Sequence, residues 1–295
     1  MTSQQLTQWI HTHQTRVEEK LAHYLSLSHH NQYDKRLHDA MRYATLNGGK
    51  RLRALLLYAS AEACQVNQEQ FDETACAIEF IHAYSLIHDD MPIMDDDDLR
   101  RGKPACHKQF DEATALLAGD ALQALAYQVL ATSLIDNDMK VAIITRLSTA
   151  SGANGMVAGQ AIDIGATDKR LTLAELNTMH QLKTGALIQA SIQMPDILNA
   201  NNTHAILTDI GLAAGLAFQI QDDILDVIGN TTRLGKPVKA DEALNKPTYP
   251  ALLGIEAAQQ YAQQYCDKAR QLLATLPGNH HTLTALIDFI VQRQY

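Results

Sequence analysis

Apolar residues recur along most of this chain at the three- and four-residue spacing of a helix with one buried face, and Pro, Gly and polar clusters interrupt them. The pattern predicts one helix after another. Three connections stand out: the polar stretch Ser26 to Asp34, the Asn47-Gly48-Gly49 turn, and the weakly apolar run from Gly229 to Pro250 through Leu234-Gly235-Lys236-Pro237. The last is long for a compact domain, which makes it the candidate lid. No linker-like composition divides the chain and no solenoid-length repeat is visible, so one domain over residues 1–295 is expected.

Two segments carry more than a packing pattern. Ser85-Leu86-Ile87-His88-Asp89-Asp90-Met91 and Phe218-Gln219-Ile220-Gln221-Asp222-Asp223-Ile224 each run an apolar helix face into a pair of aspartates. Carboxylates beside apolar surface are costly unless something cationic meets them. In the second segment Asp222 and Asp226 stand four apart and Asp223 and Asp226 three apart, so a helix is expected to project all three toward one region. The flanking Phe218, Ile220, Ile224, Leu225, Val227 and Ile228 predict a buried helix rather than a solvated acidic patch. Magnesium suits such a cluster, being hard, oxygen-seeking and able to keep waters and phosphates as its other ligands.

The first segment reads differently. Asp89 and Asp95 are six apart, on divergent faces of an unbroken helix. Pro92 lacks an amide donor and its ring clashes one turn back, so the helix should break there and let Asp95 swing toward Asp89. Asp96, Asp97 and Asp98 continue as a partly solvated run, and Arg100 and Arg101 add two fork-shaped phosphate donors to the same rim. A third constellation is Asn47-Gly48-Gly49-Lys50-Arg51-Leu52-Arg53. Its glycines allow close backbone approach to a ligand, and Lys50 and Arg53 at a helix start can point at one anion, although such a turn alone is more often simply solvated.

Composition narrows the chemistry. A chain of 295 residues with 46% hydrophobic residues can bury a sizeable core, and with only 5% aromatics its apolar content is Ala, Leu and Ile, which suit packed helices. The expected fold class is all-α. A net charge of -9 argues against a nucleic-acid partner, whose backbone needs a basic face, but leaves local phosphate binding open. The first thirty residues include Arg16, Glu18, Glu19 and Lys20 and no apolar run resembling a signal peptide, and no stretch reaches the roughly 18 apolar residues of a membrane span. Cys64, Cys76, Cys106 and Cys266 are scattered without a CxxC pair, which argues against a disulfide framework or zinc site. A cytoplasmic protein is the simple expectation.

Taken in order, several motifs resemble those of the trans-prenyltransferases, or polyprenyl diphosphate synthases, from about Tyr43 to the C-terminus. They are Gly48-Gly49-Lys50-Arg51-Leu52-Arg53, Asp89-Asp90 with four residues before Asp95, Arg100-Arg101-Gly102, Gly159-Gln160, Lys183-Thr184, and Gln221-Asp222-Asp223-Ile224-Leu225-Asp226. Within that family the lead-in His82-Ala83-Tyr84-Ser85-Leu86-Ile87-His88 and the two-residue-longer first aspartate motif most resemble the bacterial farnesyl diphosphate synthases. The resemblance implies a helical bundle of the isoprenoid synthase type around a deep central cavity, usually as a homodimer. It also implies head-to-tail condensation of isopentenyl diphosphate with dimethylallyl and then geranyl diphosphate, with release of diphosphate.

Roles follow from the resemblance position by position. Asp89 and Asp95 match ligands of two magnesium ions and Asp222 a ligand of a third, while Asp90, Asp96, Asp223 and Asp226 match supporting carboxylates. Arg100, Lys183, Thr184, Gln221, Lys236 and Lys246 match contacts to the allylic substrate and its diphosphate, and Lys50, Arg53, His82 and Arg101 match the isopentenyl diphosphate pocket. Tyr84 lies five residues before Asp89, roughly 7 to 8 Å deeper along the helix, where a stiff ring could floor the product tunnel and Ser85 beside it is too small to block it. In the family such an aromatic goes with a fifteen-carbon product.

The chain departs from the family pattern at Lys239-Ala240-Asp241, where relatives commonly begin with Gly, at Pro247 after Lys246, and at Tyr295, which ends the chain without a basic tail. Four other readings compete. A geranylgeranyl diphosphate synthase would differ in product length, and a terpene cyclase would have no use for Lys50, Arg53 and His82. A non-catalytic prenyltransferase subunit should have lost aspartates that are intact here, and a calcium-binding protein should show EF-hand spacing, which is absent.

Overall fold

The buried stripes anticipated from the sequence organise a stack of helices, in a computed structural model that describes residues 1–27, 34–167, 169–198, 203–228 and 246–292. In order these are α1 (Ser3–Leu27), α2 (Lys35–Leu46), α3 (Leu52–Ala63), α4 (Asp72–Asp89), α5 (Cys106–Gln109), α6 (Glu112–Thr132) and α7 (Asn137–Ser151). They continue as α8 (Met156–Ala166), α9 (Leu173–His180), α10 (Ala186–Gln193), α11 (His204–Ile228), α12 (Tyr249–Leu253), α13 (Ile255–Leu273) and α14 (His281–Gln292). Outer helices bury one face: Val17, Leu21 and Leu25 in α1, and Ala258, Ala262, Cys266, Ala269 and Leu273 in α13.

α4 and α11 are different. Every residue from Thr74 to Ile81 of α4, and from Ala213 to Ala217 of α11, is buried, so each helix is enclosed on all sides along part of its length. α4 packs mainly on α6, whose Ala115, Ala118, Gly119 and Ala126 let the helices approach closely, and α11 packs on α10 and α13. Their apolar surfaces form three clusters, with Trp9 and Val66 bridging the first two and Tyr265 and Val291 the last two. The two helices that the sequence runs into paired aspartates are thus enclosed along part of their length, as is α3 from Ala54 to Ala61.

The only sheet among the described residues is a hairpin pairing Leu99–Arg100 with Lys103–Pro104. Arg101 and Gly102 form its two-residue turn, both at positive φ (55° and 74°), the backbone of a type I′ turn. The Asn47-Gly48-Gly49 connection between α2 and α3 is as expected. The candidate lid ends earlier than its composition implied. Thr248 caps a short helix by accepting the Ala251 N–H at 3.3 Å, and Pro250 fits its first turn, so α12 begins at Tyr249. Residues 229–245 of that stretch, including Lys236 and the Lys239-Ala240-Asp241 departure, lie outside the described residues, as do 28–33 and Tyr295. Among the described residues no helix is long and apolar enough to cross a membrane, and all four cysteines are buried free thiols.

An ion pair between half-buried Arg16 and buried Asp72 fixes α1 against the start of α4. Arg16 donates through Nε to Asp72 Oδ1 at 2.7 Å and through Nη2 to Oδ2 at 2.9 Å, and the Tyr58 hydroxyl of α3 donates to Oδ1 at 2.9 Å. Burial alone would raise the Asp72 carboxyl, but these hydrogen bonds hold it below the ordinary aspartate range. Asp72→Ala, which leaves Arg16 and Tyr58 without their acceptor, is expected to cost about 3 kcal/mol, read as a lower urea midpoint with unchanged m.

Candidate active site

α4 ends at Asp89, and the chain folds back through a turn in which the Asp95 N–H donates to the Asp89 carbonyl at 2.9 Å. The break anticipated at Pro92 thus brings Asp95 beside Asp89. The following acidic run divides. Asp96 is exposed at a left-handed turn (φ 51°), Asp97 lies 3.3 Å from Arg100 Nη2, and Asp98 pairs with Lys108 at 2.8 Å. Asp90 is buried and holds Arg100, which donates through Nε to Oδ1 and Oδ2 at 3.0 and 3.2 Å and through Nη2 to Oδ1.

Two lysines close over the first aspartates. Lys246 Nζ donates to Asp95 Oδ1 at 2.7 Å, and Lys183 Nζ lies 3.9 Å from Asp89 Oδ2. Both also reach Asp163 of α8: Lys183 at 2.6 Å, Lys246 at 3.7 Å. Burial, reinforced by Asp95 and opposed by Lys183, pushes the Asp89 carboxyl up to about 6. Burial acts on Asp163 in the same sense, but the two lysines prevail and hold it below its ordinary range. Asp163 was not among the residues read from the sequence; its signal was its place three residues after Gln160, on the Gly159-Gln160 motif's own helix.

Lys183 and Thr184 lie in a π-type turn, Gln181–Gly185, inserted between α9 and α10, and such bulges commonly mark functional sites. Gly159 explains its motif: a Cβ there would collide with the backbone nitrogen of Lys183, so only glycine lets α8 press on the turn that aims the lysine. Both side-chain amide atoms of the adjacent Gln160 are buried without a hydrogen-bond partner among the described residues. Thr184 Oγ1 donates to Gln219 Oε1 at 2.7 Å.

In the second motif Asp222 is half-buried, while Gln221, Asp223 and Asp226 are buried. Asp223 turns to α12, accepting the Tyr249 N–H at 3.0 Å and Gln219 Nε2 at 2.9 Å, because the segment returning from residue 246 packs on that side of α11. His180 lies beside it, with Nε2 3.8 Å from Asp223 Oδ2 and its ring stacked on Tyr249.

The basic constellation gathers at the start of α3. Lys50 precedes α3 rather than sitting on it, because Arg51 caps the helix at positive φ (50°). Arg101 reaches back from its hairpin to donate to the Gly48 carbonyl, and its guanidinium lies so close to Gly49 that a Cβ there would stand 2.7 Å from Cζ. Arg51 is buried, with Nη1 3.6 Å from Glu79 Oε2, and Glu79 also accepts the Ala54 N–H at 3.3 Å. Glu79, a second residue missed from sequence, is the buried counter-charge of this pocket. Arg53 Nε is buried without a hydrogen-bond partner among the described residues. Burial first, and then Arg53, Arg101, Arg100 and Arg51, drive the His82 imidazole well below its ordinary range, so it is neutral. A neutral imidazole beside arginines, one of them with an unpaired Nε donor among the described residues, leaves donor capacity that an anion could meet.

Deeper on α4, Tyr84 is buried, its ring edge-on to His88 at 5.7 Å, and Ser85 Oγ donates to the His82 carbonyl at 2.9 Å. Among the described residues no three His, Cys, Asp or Glu side chains gather closely enough to hold a metal by themselves.

Comparison with known proteins agrees with this arrangement. The family model described as Polyprenyl synthetase matches residues 34–278. The chain is 45% identical over 287 residues to a farnesyl diphosphate synthase of Haemophilus influenzae, covering 95% of this chain and 96% of that one. It is 47% identical over 265 residues to one of Escherichia coli, covering 86% and 88%. A geranyltransferase structure from Helicobacter pylori, complexed with magnesium and isoprenyl diphosphate, superposes with a TM-score of 0.85 at 33% identity, covering 99% of this chain and 98% of that one.

The buried His180 has a consequence for stability. Burial above all, with Lys183 and Lys246 and against Asp163 and Asp222, pushes its imidazole down to about 4. An unfolded chain protonates it near pH 6.5, so between about 6.5 and 4 the unfolded state binds more protons and stability falls as pH falls. His180→Phe should flatten the plot of unfolding free energy against pH by up to about 1.4 kcal/mol per pH unit in that window. An unchanged slope would mean that His180 is protonated in the fold.

Proposed function

The chain belongs to the polyprenyl synthetase family, and from that premise we propose that it is a farnesyl diphosphate synthase acting on isopentenyl, dimethylallyl and geranyl diphosphates. The observation that carries this reading is the presence of two anion sites of different make: lysines over a carboxylate cluster, and arginines around a neutral histidine. A head-to-tail condensation needs both, one for the diphosphate that leaves and one for the diphosphate that is kept. A cyclase needs only the first. The bacterial relatives also favour the fifteen-carbon product over the geranylgeranyl alternative.

The residues fit a divalent cation. Asp89 carries a carboxyl pushed up by burial and by its neighbour Asp95, and added positive charge would relieve that repulsion. Asp89, Asp95 and Asp222 would hold magnesium, three ions with substrate as the resemblance implies, the other ligands coming from water and the allylic diphosphate. An ion held by Asp89, Asp95 and Asp222 would supply positive charge to neutralise the leaving diphosphate.

The chain's own groups do the rest. Lys183, Lys246 and Arg100, with Thr184 and Gln221 beside them and Lys236 outside the described residues, receive the allylic diphosphate and stabilise its charge as the carbon–oxygen bond breaks. Lys50, Arg53, Arg101 and His82 hold isopentenyl diphosphate so that its double bond attacks the allylic carbon. The new bond forms, a proton passes to the departed diphosphate, and the enclosing helices keep water from the cation. No covalent intermediate with the protein is needed, and the buried thiols take no part.

We also read residues 1–295 as one domain and the working form as a cytoplasmic homodimer. The bridged core clusters support the first, and the exposed Leu116 (44%) and Leu117 (56%) of α6 support a partner subunit.

Incubation with magnesium and dimethylallyl and isopentenyl diphosphates should yield farnesyl diphosphate, and none without magnesium; failure to incorporate isopentenyl diphosphate would overturn the reading. Tyr84→Ala should shift the product to geranylgeranyl or longer diphosphates by opening space below the tail, and a variant that still stops at fifteen carbons would remove Tyr84 as the floor. Lys50→Ala or Arg53→Ala should raise KM for isopentenyl diphosphate by about tenfold or more, and for the allylic substrate far less.

A further inference from the structure

Asp223 is 2% exposed, and the protein itself engages both its oxygens: Gln219 Nε2 donates to Oδ1 at 2.9 Å and the Tyr249 backbone N–H to Oδ2 at 3.0 Å. Tyr249 is held from several sides. It is fully buried, its ring is stacked on His180 with centroids 5.4 Å apart, and its hydroxyl donates to Asn177 Oδ1 at 2.7 Å. Asn177 Nδ2 in turn donates to the Tyr261 hydroxyl of α13 at 2.9 Å. Three residues upstream of Tyr249, Lys246 meets Asp95 at 2.7 Å and lies 3.7 Å from Asp163. Three residues span at most about 10 to 11 Å, so the place where Tyr249 is fixed limits where the Lys246 ammonium can stand.

We propose that Asp223 is a positioning residue: with Tyr249 it forms the anchor that holds Lys246 over the first aspartate motif, so that it acts on the allylic diphosphate through Lys246. This rests on the reading of Lys246 as an allylic diphosphate contact. The hydrogen-bond pattern needs an acceptor facing Tyr249 but not a negative charge. In Asp223→Asn the side-chain oxygen can accept from Tyr249 and the amide can donate to Gln219 once the Gln219 amide turns over, after which the Thr184 hydroxyl accepts from Gln219. In Asp223→Ala the anchor is lost.

Two measurements on the full chain test this. Without substrate or added metal, hydrogen exchange at the Tyr249 amide should quicken by about tenfold or more in Asp223→Ala and stay near wild type in Asp223→Asn. In turnover, Asp223→Ala should lower kcat by about 10- to 100-fold with KM for isopentenyl diphosphate within about twofold, and Asp223→Asn should stay within about threefold of wild type. In a double-mutant cycle, Asp223→Ala should cost little in a Lys246→Ala background. If Asp223→Ala does not fold, Asp223→Ser, whose hydroxyl is too short to reach Tyr249, takes its place. An asparagine variant as slow as the alanine one, costs that multiply in the double mutant, or unchanged exchange at Tyr249 would each overturn the proposal. Absence of product from the wild type would instead overturn the functional reading, while the exchange measurement would still report on the anchor.

Discussion

Negative charge at the carboxyl ends of two enclosed helices is the constraint on which the rest of this structure depends. α4 delivers Asp89 and Asp90 at its last turn, and α11 carries Asp222, Asp223 and Asp226 within its last two turns. The helix dipole and burial both oppose carboxylates there, so each must be answered by a cation or a hydrogen-bond donor. The answers differ. Asp90 is matched by Arg100 and Asp223 by a backbone amide and Gln219, whereas Asp89 and Asp95 share the ends of two lysines and retain an unrelieved repulsion.

That difference separates scaffold from chemistry. Carboxylates satisfied within the protein fix the hairpin and α12, and the incompletely satisfied ones are those we propose to meet an added cation. Asp163 extends the same logic by giving Lys183 and Lys246 a common partner, which aims both ammonium groups before any diphosphate arrives. In the second pocket the sign is reversed. One buried carboxylate, Glu79, sits among Arg51, Arg53 and Arg101, with Glu18 meeting Arg51 at 3.4 Å and Asp222 acting on Arg53, and His82 stays neutral.

Close backbone approach makes the two pockets possible. Gly49 admits the Arg101 guanidinium, and Gly159 admits the π-type turn that lifts Lys183 out of the helical register. Gly49 is needed twice over, for its positive φ of 122° and for the guanidinium beside it, whereas Gly159 is needed because another part of the chain passes where a side chain would be.

The sequence by itself determined the helical class, the break after Asp89, the motif order and the division into aspartate and arginine sites. These depend on local periodicity, on proline geometry and on residue types within a few positions of one another. Only the tertiary structure decided what the individual carboxylates meet. Helical spacing says nothing of Tyr249, yet the segment around it approaches α11 and gives Asp223 a backbone donor. It likewise decided that Asp163 and Glu79 belong to the pockets, since their partners lie on other helices, brought together by packing rather than by spacing.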